Sequence, residues 1–101
     1  MSDKTMIYHI TTPEDWNGQA DSEVYTHISL KEEGFIHCSK AEQIEAVIER
    51  YFREVRELLL LQIDPQLLEN ELKYELSTGN EWYPHIYGSI NKGAIVEVKN
   101  I

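Results

Sequence analysis

Cysteine is almost missing from this 101-residue chain. Cys38 stands alone, so no internal disulfide can form, and a zinc site built on one thiolate would need three further well-placed histidines or carboxylates. Long apolar runs are missing too: none approaches the roughly 20 residues that cross a bilayer. Residues 1 to 5 are short and polar, unlike a secretory leader or an arginine-rich transit peptide. A soluble, cytoplasmic protein with no membrane partner is expected. Basic residues are scarce, with 9 Lys and Arg against 18 Asp and Glu, giving a formal charge of −9. That balance repels a phosphate backbone over most of the surface and excludes sequence-independent binding to long DNA or RNA. The chain has no phosphate loop, dinucleotide glycine fingerprint, nucleophile elbow, repeat or low-complexity tract.

What remains is a chain of ordinary hydrophobic content, 42%, at the usual size of one domain, and one domain over residues 1–101 is expected. "TMIYHIT" (5–11) is β-branched and aromatic and stops at Thr12-Pro13, so it reads as a strand. Thr12 as cap, Pro13 at the first helical position and Glu14 and Asp15 near the positive dipole end predict a short helix to about Gly18. "SLKEEG" repeats that logic, with Ser29 as cap and Gly34 as left-handed stop, and "FIHC" follows as a strand. Ser39 and Glu42 have capping-box spacing, and Ile44, Val47, Ile48, Tyr51, Phe52 and Val55 recur at three and four residues. Together they predict one long amphipathic helix over about 40–56. "LLLLQID" reads as a strand buried on both faces, a helical turn is expected at 65–70, and "LKYELS", "WYPHIYG" and "AIVEVK" read as further strands. The class is α+β, with short strands and short helices around the one long helix.

Residues two apart in a strand share a face. By that rule His9 pairs with Thr11, His37 with Ser39, and His85 with Tyr87, so three strands carry the same His-x-hydroxyl unit. The residues between them, Ile10, Cys38 and Ile86, would turn to the core while the polar faces open on a cleft. A neutral imidazole offers one donor and one acceptor and can charge near neutral pH, and a hydroxyl offers both functions, which suits phosphate and ribose oxygens. Trp82 and Tyr83 stand beside the third unit as candidate stacking or wall residues, and Glu81 is the carboxylate nearest to it. For each histidine the alternative is a buried ring bonded to a backbone carbonyl, and for Ser39 it is helix capping. His27 has no strand partner of this kind and is set aside.

"IYHIT", "EGFIHCS" and "PHIYG", in this order and with "LLLLQID" between the last two, resemble the Domain of Unknown Function 952 family over nearly the whole chain. That resemblance implies a fold similar to ADP-ribosyltransferase-like proteins, including the RNA 2′-phosphotransferases, which use NAD and place a histidine on their first core strand. His9 matches that position. The terminal catalytic glutamate of toxin-like transferases has no counterpart here, and Arg50, Arg53 and Arg56 all fall on the predicted helix, which argues against tRNA repair. Three chemistries stay open. The first is an NAD- or nucleotide-processing transferase with His9, His37 and His85 as catalytic groups and Thr11, Ser39, Tyr87, Trp82 and Tyr83 binding substrate. The second is a non-catalytic module for a nucleotide or sugar phosphate. The third is a three-histidine metal site, but no H-x-x-x-H spacing is present and no metal is expected.

Overall fold

Eight short strands and three short helices alternate along residues 5–101, the part of the chain that the computed structural model describes. Strand β1 (Ile7–Thr11) ends where Pro13 cannot continue a ladder, and α1 (Pro13–Asn17) starts there with the Thr12 hydroxyl accepting from the Asp15 amide. Strand β2 (Val24–Tyr25) leads into α2 (Ile28–Glu33), which Gly34 stops at φ 91°, a conformation that favours glycine. Strand β3 (Ile36–His37), α3 (Ile44–Tyr51), β4 (Leu59–Ile63), β5 (Glu71–Leu76), β6 (Trp82–Tyr87), β7 (Ile90–Asn91) and β8 (Ile95–Asn100) complete the order.

All strand pairs are antiparallel and form three small sheets, ordered β1-β4-β8, β3-β6-β5 and β2-β7. The first two are joined by a bridge in which the Ser39 amide donates to the Tyr8 carbonyl at 2.7 Å and the Tyr8 amide to Ser39 at 2.8 Å. Their shared interior holds Ile7, Ile36, Leu61, Ile63 and Ile86, with Cys38 and the ring of Tyr25 among them. The α+β class is therefore observed.

The long helix is not. A single 3-10 turn at Ala41–Gln43 precedes α3, which has 8 residues and ends at Tyr51; Phe52 leaves helical geometry at φ −127°. The apolar stripe runs on to Val55, but Tyr51 is 58% and Val55 40% exposed, so another turn would bury nothing. The chain reverses there so that Leu59–Ile63 can pair with β1, and ladder formation outweighs local periodicity. Two of the three predicted caps are displaced by short steps. His27, not Ser29, caps α2, its Nδ1 accepting from the Ser29 amide at 3.2 Å. Gln43, not Glu42, closes the box, its Oε1 accepting from the Lys40 amide at 2.9 Å, because Ser39 is engaged with Tyr8. Strand β4 buries Leu59, Leu61 and Ile63 but leaves Leu60 and Gln62 half-buried, so one of its faces is only partly covered. Strands β2 and β7 have two residues each, too few to show any period in the sequence.

Candidate functional site

Antiparallel pairing of β3 with β6 sets His37 directly opposite His85, so both rings project from one face of that sheet. The bridge to Tyr8 brings Ser39 against β1 and with it His9. Between α2, the end of β3, α3 and the turn after β5 opens a cleft of about 450 Å³. His9, His37, Ser39 and Tyr83 line it; Thr11, Trp82, His85 and Tyr87 do not. His27, set aside in the sequence, does.

The histidines occupy different chemical environments. His9 is buried, its Nδ1–H donating to the His37 carbonyl at 2.7 Å and its Nε2 lying 3.1 Å from the Tyr25 hydroxyl. That hydroxyl also lies 2.9 Å from the Thr11 hydroxyl, so His9, Tyr25 and Thr11 form one buried polar chain. Burial of the ring pushes the His9 pKa down to about 3, and His9 is a neutral group at any physiological pH. The polar face of β1 therefore looks inward on Tyr25, against the expectation of an open polar face, and Thr11 is buried with it. Tyr25 in turn has its phenol pushed up by burial.

His27 makes an edge contact with His9 at 5.1 Å between ring centres. Its Nδ1 is occupied by Ser29 at the head of α2, and burial lowers its pKa. His37 is the open imidazole. Its side chain is 45% exposed, and Nε2 lies 3.1 Å from both oxygens of Glu33, one helical turn earlier in the chain.

His85 sits behind His37 rather than in the cleft, with the two rings 5.2 Å apart at 80°. Phe35 stacks on it at 4.1 Å, and its Nδ1–H donates to Glu75 at 2.7 Å; Glu75 also accepts from the Tyr87 hydroxyl at 2.6 Å. These hydrogen bonds, Tyr87 first and His85 second, hold the Glu75 carboxyl below its usual range, and the same Glu75 contact raises the Tyr87 phenol. His85 Nε2 is buried and meets no hydrogen-bond partner among the described residues. Trp82 is 55% exposed, and its carbonyl accepts from Gln43 at 3.1 Å. Cys38 is buried in the core as expected, and burial raises its thiol, so it is not a ready nucleophile.

Charged groups stand on and beside the cleft wall. Glu32 and Glu33 stand on the α2 side. Behind the wall residue Tyr83 the exposed Arg50 guanidinium donates to its hydroxyl at 3.4 Å, and the hydroxyls of the wall residues Tyr51 and Thr78 meet at 2.8 Å. Among the described residues no group of three His, Cys, Asp or Glu is arranged to hold a metal. No helix among them is long and apolar enough to cross a membrane. The Glu33–His37 pair was legible in the sequence as an i, i+4 spacing across the helix end. His27 was legible only as a residue before a helix, where histidine is an unusual cap.

The family described as "Protein of unknown function (DUF952)" matches residues 10–98. A crystal structure of protein CC0527 from Caulobacter crescentus superposes with a TM-score of 0.84 at 28% identity, covering 95% of this chain and 85% of that one. A double mutant of the same protein gives 0.84 at 26% identity with the same coverage. Its solution NMR structure gives 0.79 at 28% identity, covering 94% and 83%. No curated protein matches the chain.

Proposed function

The chain belongs to the DUF952 family, whose description names no activity; from its cleft we propose a cytoplasmic enzyme of the ADP-ribosyltransferase-like kind that binds NAD or a related nucleotide and acts at the ribosyl carbon. What carries this reading is the exposed His37–Glu33 pair, with contacts of 3.1 Å, in a cleft of about 450 Å³ lined also by the imidazoles of His9 and His27, by hydroxyls and by apolar side chains such as Val47 and Phe52. That volume lies in the range of small-molecule sites, roughly 300–1,000 Å³. A carboxylate at the ribosyl carbon would stabilise the positive charge that develops as a glycosidic bond breaks, and His37 beside it would exchange the proton. Ser39 and Tyr83 would hold ribose hydroxyls, and Arg50 behind Tyr83 would meet the phosphates.

His9 takes a different role from the one expected of it. With its Nδ1 committed to the His37 carbonyl and its charge suppressed, it positions β3 and handles no proton. His85 is likewise a supporting group, held by Glu75 behind His37. His37 is then the one exposed imidazole among those lining the cleft, with His27 half-buried, and this favours a second reading, a non-catalytic module that binds a nucleotide or sugar phosphate there.

The test is a thermal-shift series with NAD, ADP-ribose and ribose 5-phosphate on the wild type and His37→Ala. A true ligand at about 100 times its dissociation constant adds about 2.7 kcal/mol to the wild type and much less to the variant. Nicotinamide release that disappears in Glu33→Gln selects the enzyme; stabilisation without release selects the module. If none of the three compounds raises the wild-type melting temperature, neither reading stands.

A further inference from the structure

Strand β8 is the outer strand of the β1-β4-β8 sheet, and its far edge carries no strand among the described residues. It is six residues long, contains neither proline nor glycine, and is exposed from Val96 to Asn100. Val96 at 47% and Val98 at 39% are open although both are β-branched residues of a strand. Edges of this kind offer a row of unpaired amides and carbonyls to another chain, and proteins usually blunt them.

The direction of those free groups follows from the inner ladder. The Ile101 amide donates to the Leu58 carbonyl at 3.1 Å, and Leu59 faces Asn100 and Leu61 faces Val98 in the antiparallel register. In such a ladder the residues that bond to a given neighbour alternate. Residues 97 and 99 therefore bond inward with 101, while 98 and 100 present their N–H and C=O groups outward; at Val96 the register shifts by one residue, which ends the regular edge.

We propose that β8 pairs with the β8 of a second copy of this chain, antiparallel and centred on Val98, giving a two-fold dimer with one continuous six-stranded sheet. The sequence of the strand is self-complementary about that point. Val98 lies opposite the partner's Val98 and exchanges both backbone hydrogen bonds with it. Glu97 then lies opposite the partner's Lys99, and Lys99 opposite the partner's Glu97, in the closer-spaced non-hydrogen-bonded positions where facing side chains interact most strongly. Slipping the register by two residues places Lys99 opposite the partner's Lys99 or Glu97 opposite the partner's Glu97, so charge selects this pairing. Closed two-fold contacts of this kind use one patch twice.

Sedimentation equilibrium of the whole chain over a wide concentration range tests this. The wild type forms a reversible dimer. Glu97→Lys and Lys99→Glu each place like charges face to face and weaken dimerisation about tenfold or more, and the double exchange restores it. Val98→Pro removes an outward amide, abolishes the dimer and leaves the far-ultraviolet circular dichroism of the monomer unchanged. A wild type that stays monomeric at millimolar concentration, or a dimer indifferent to both single charge reversals, overturns the proposal. Should Val98→Pro unfold, the charge exchange decides alone.

Discussion

At the scale of single residues, burial decides what each histidine can do. The unfolded chain protonates His9 near its ordinary pKa of 6.5, whereas the folded ring resists until about 3. The stability that rests on a neutral His9 is therefore complete above pH 6.5 and is lost as the pH falls toward 3. One proton taken up on unfolding corresponds to about 1.4 kcal/mol per pH unit. Urea denaturation of wild type and His9→Asn at pH 7, 5.5 and 4.5 should show the variant losing less stability than the wild type over that interval, by up to this slope. Parallel curves would remove the desolvated ring as the cause. His37, with the same side chain, is open because its partner is a surface carboxylate rather than a carbonyl in the interior. Nothing in "YHIT" or "GFIHCS" distinguishes the two, since alternation says that residues share a face but not whether that face meets water or Tyr25.

Among elements, the segment after Ser39 is the informative one. Spacing points to Glu42 as the capping partner, yet Gln43 is the buried residue, 3% exposed. Its amide accepts from Lys40 at 2.9 Å and donates to Glu81 and to the Trp82 carbonyl at 3.1 Å each, tying the start of α3 to β6. Gln43→Ala leaves these groups short of partners and is expected to cost about 1–3 kcal/mol, while Glu42→Ala stays within about 0.5 kcal/mol. Thermal unfolding of both variants checks the ranking; equal effects would mean that the cap contributes nothing special. Helix α1 was readable because Thr12 and Pro13 act within one turn of each other. Helix α3 was over-read because its last apolar residues have no surface to pack against.

For the whole molecule, charge is the governing quantity. A formal −9 on a small protein repels itself in the compact state more than in the expanded one. Raising the salt from about 20 to about 200 mM shortens the screening length from roughly 20 Å to below 10 Å and should raise the melting temperature by a few degrees. A fall would show that attractive charge pairs outweigh the long-range repulsion. The same excess of acid reaches the cleft, where Glu32 and Glu33 stand on the α2 side.

The places of the longer strands and of α1, the α+β class, the stop at Gly34 and the inward turn of Cys38 follow from local rules, and the sequence alone determined them. Local rules act over one or two turns, where propensity, capping and alternation operate. Which strands became neighbours was decided only in three dimensions, since ladder partners are chosen by the total burial of distant segments. From that choice came the 5.2 Å approach of His37 to His85, the entry of His27 into the cleft, the neutral state of His9 and the outer place of β8 in its sheet.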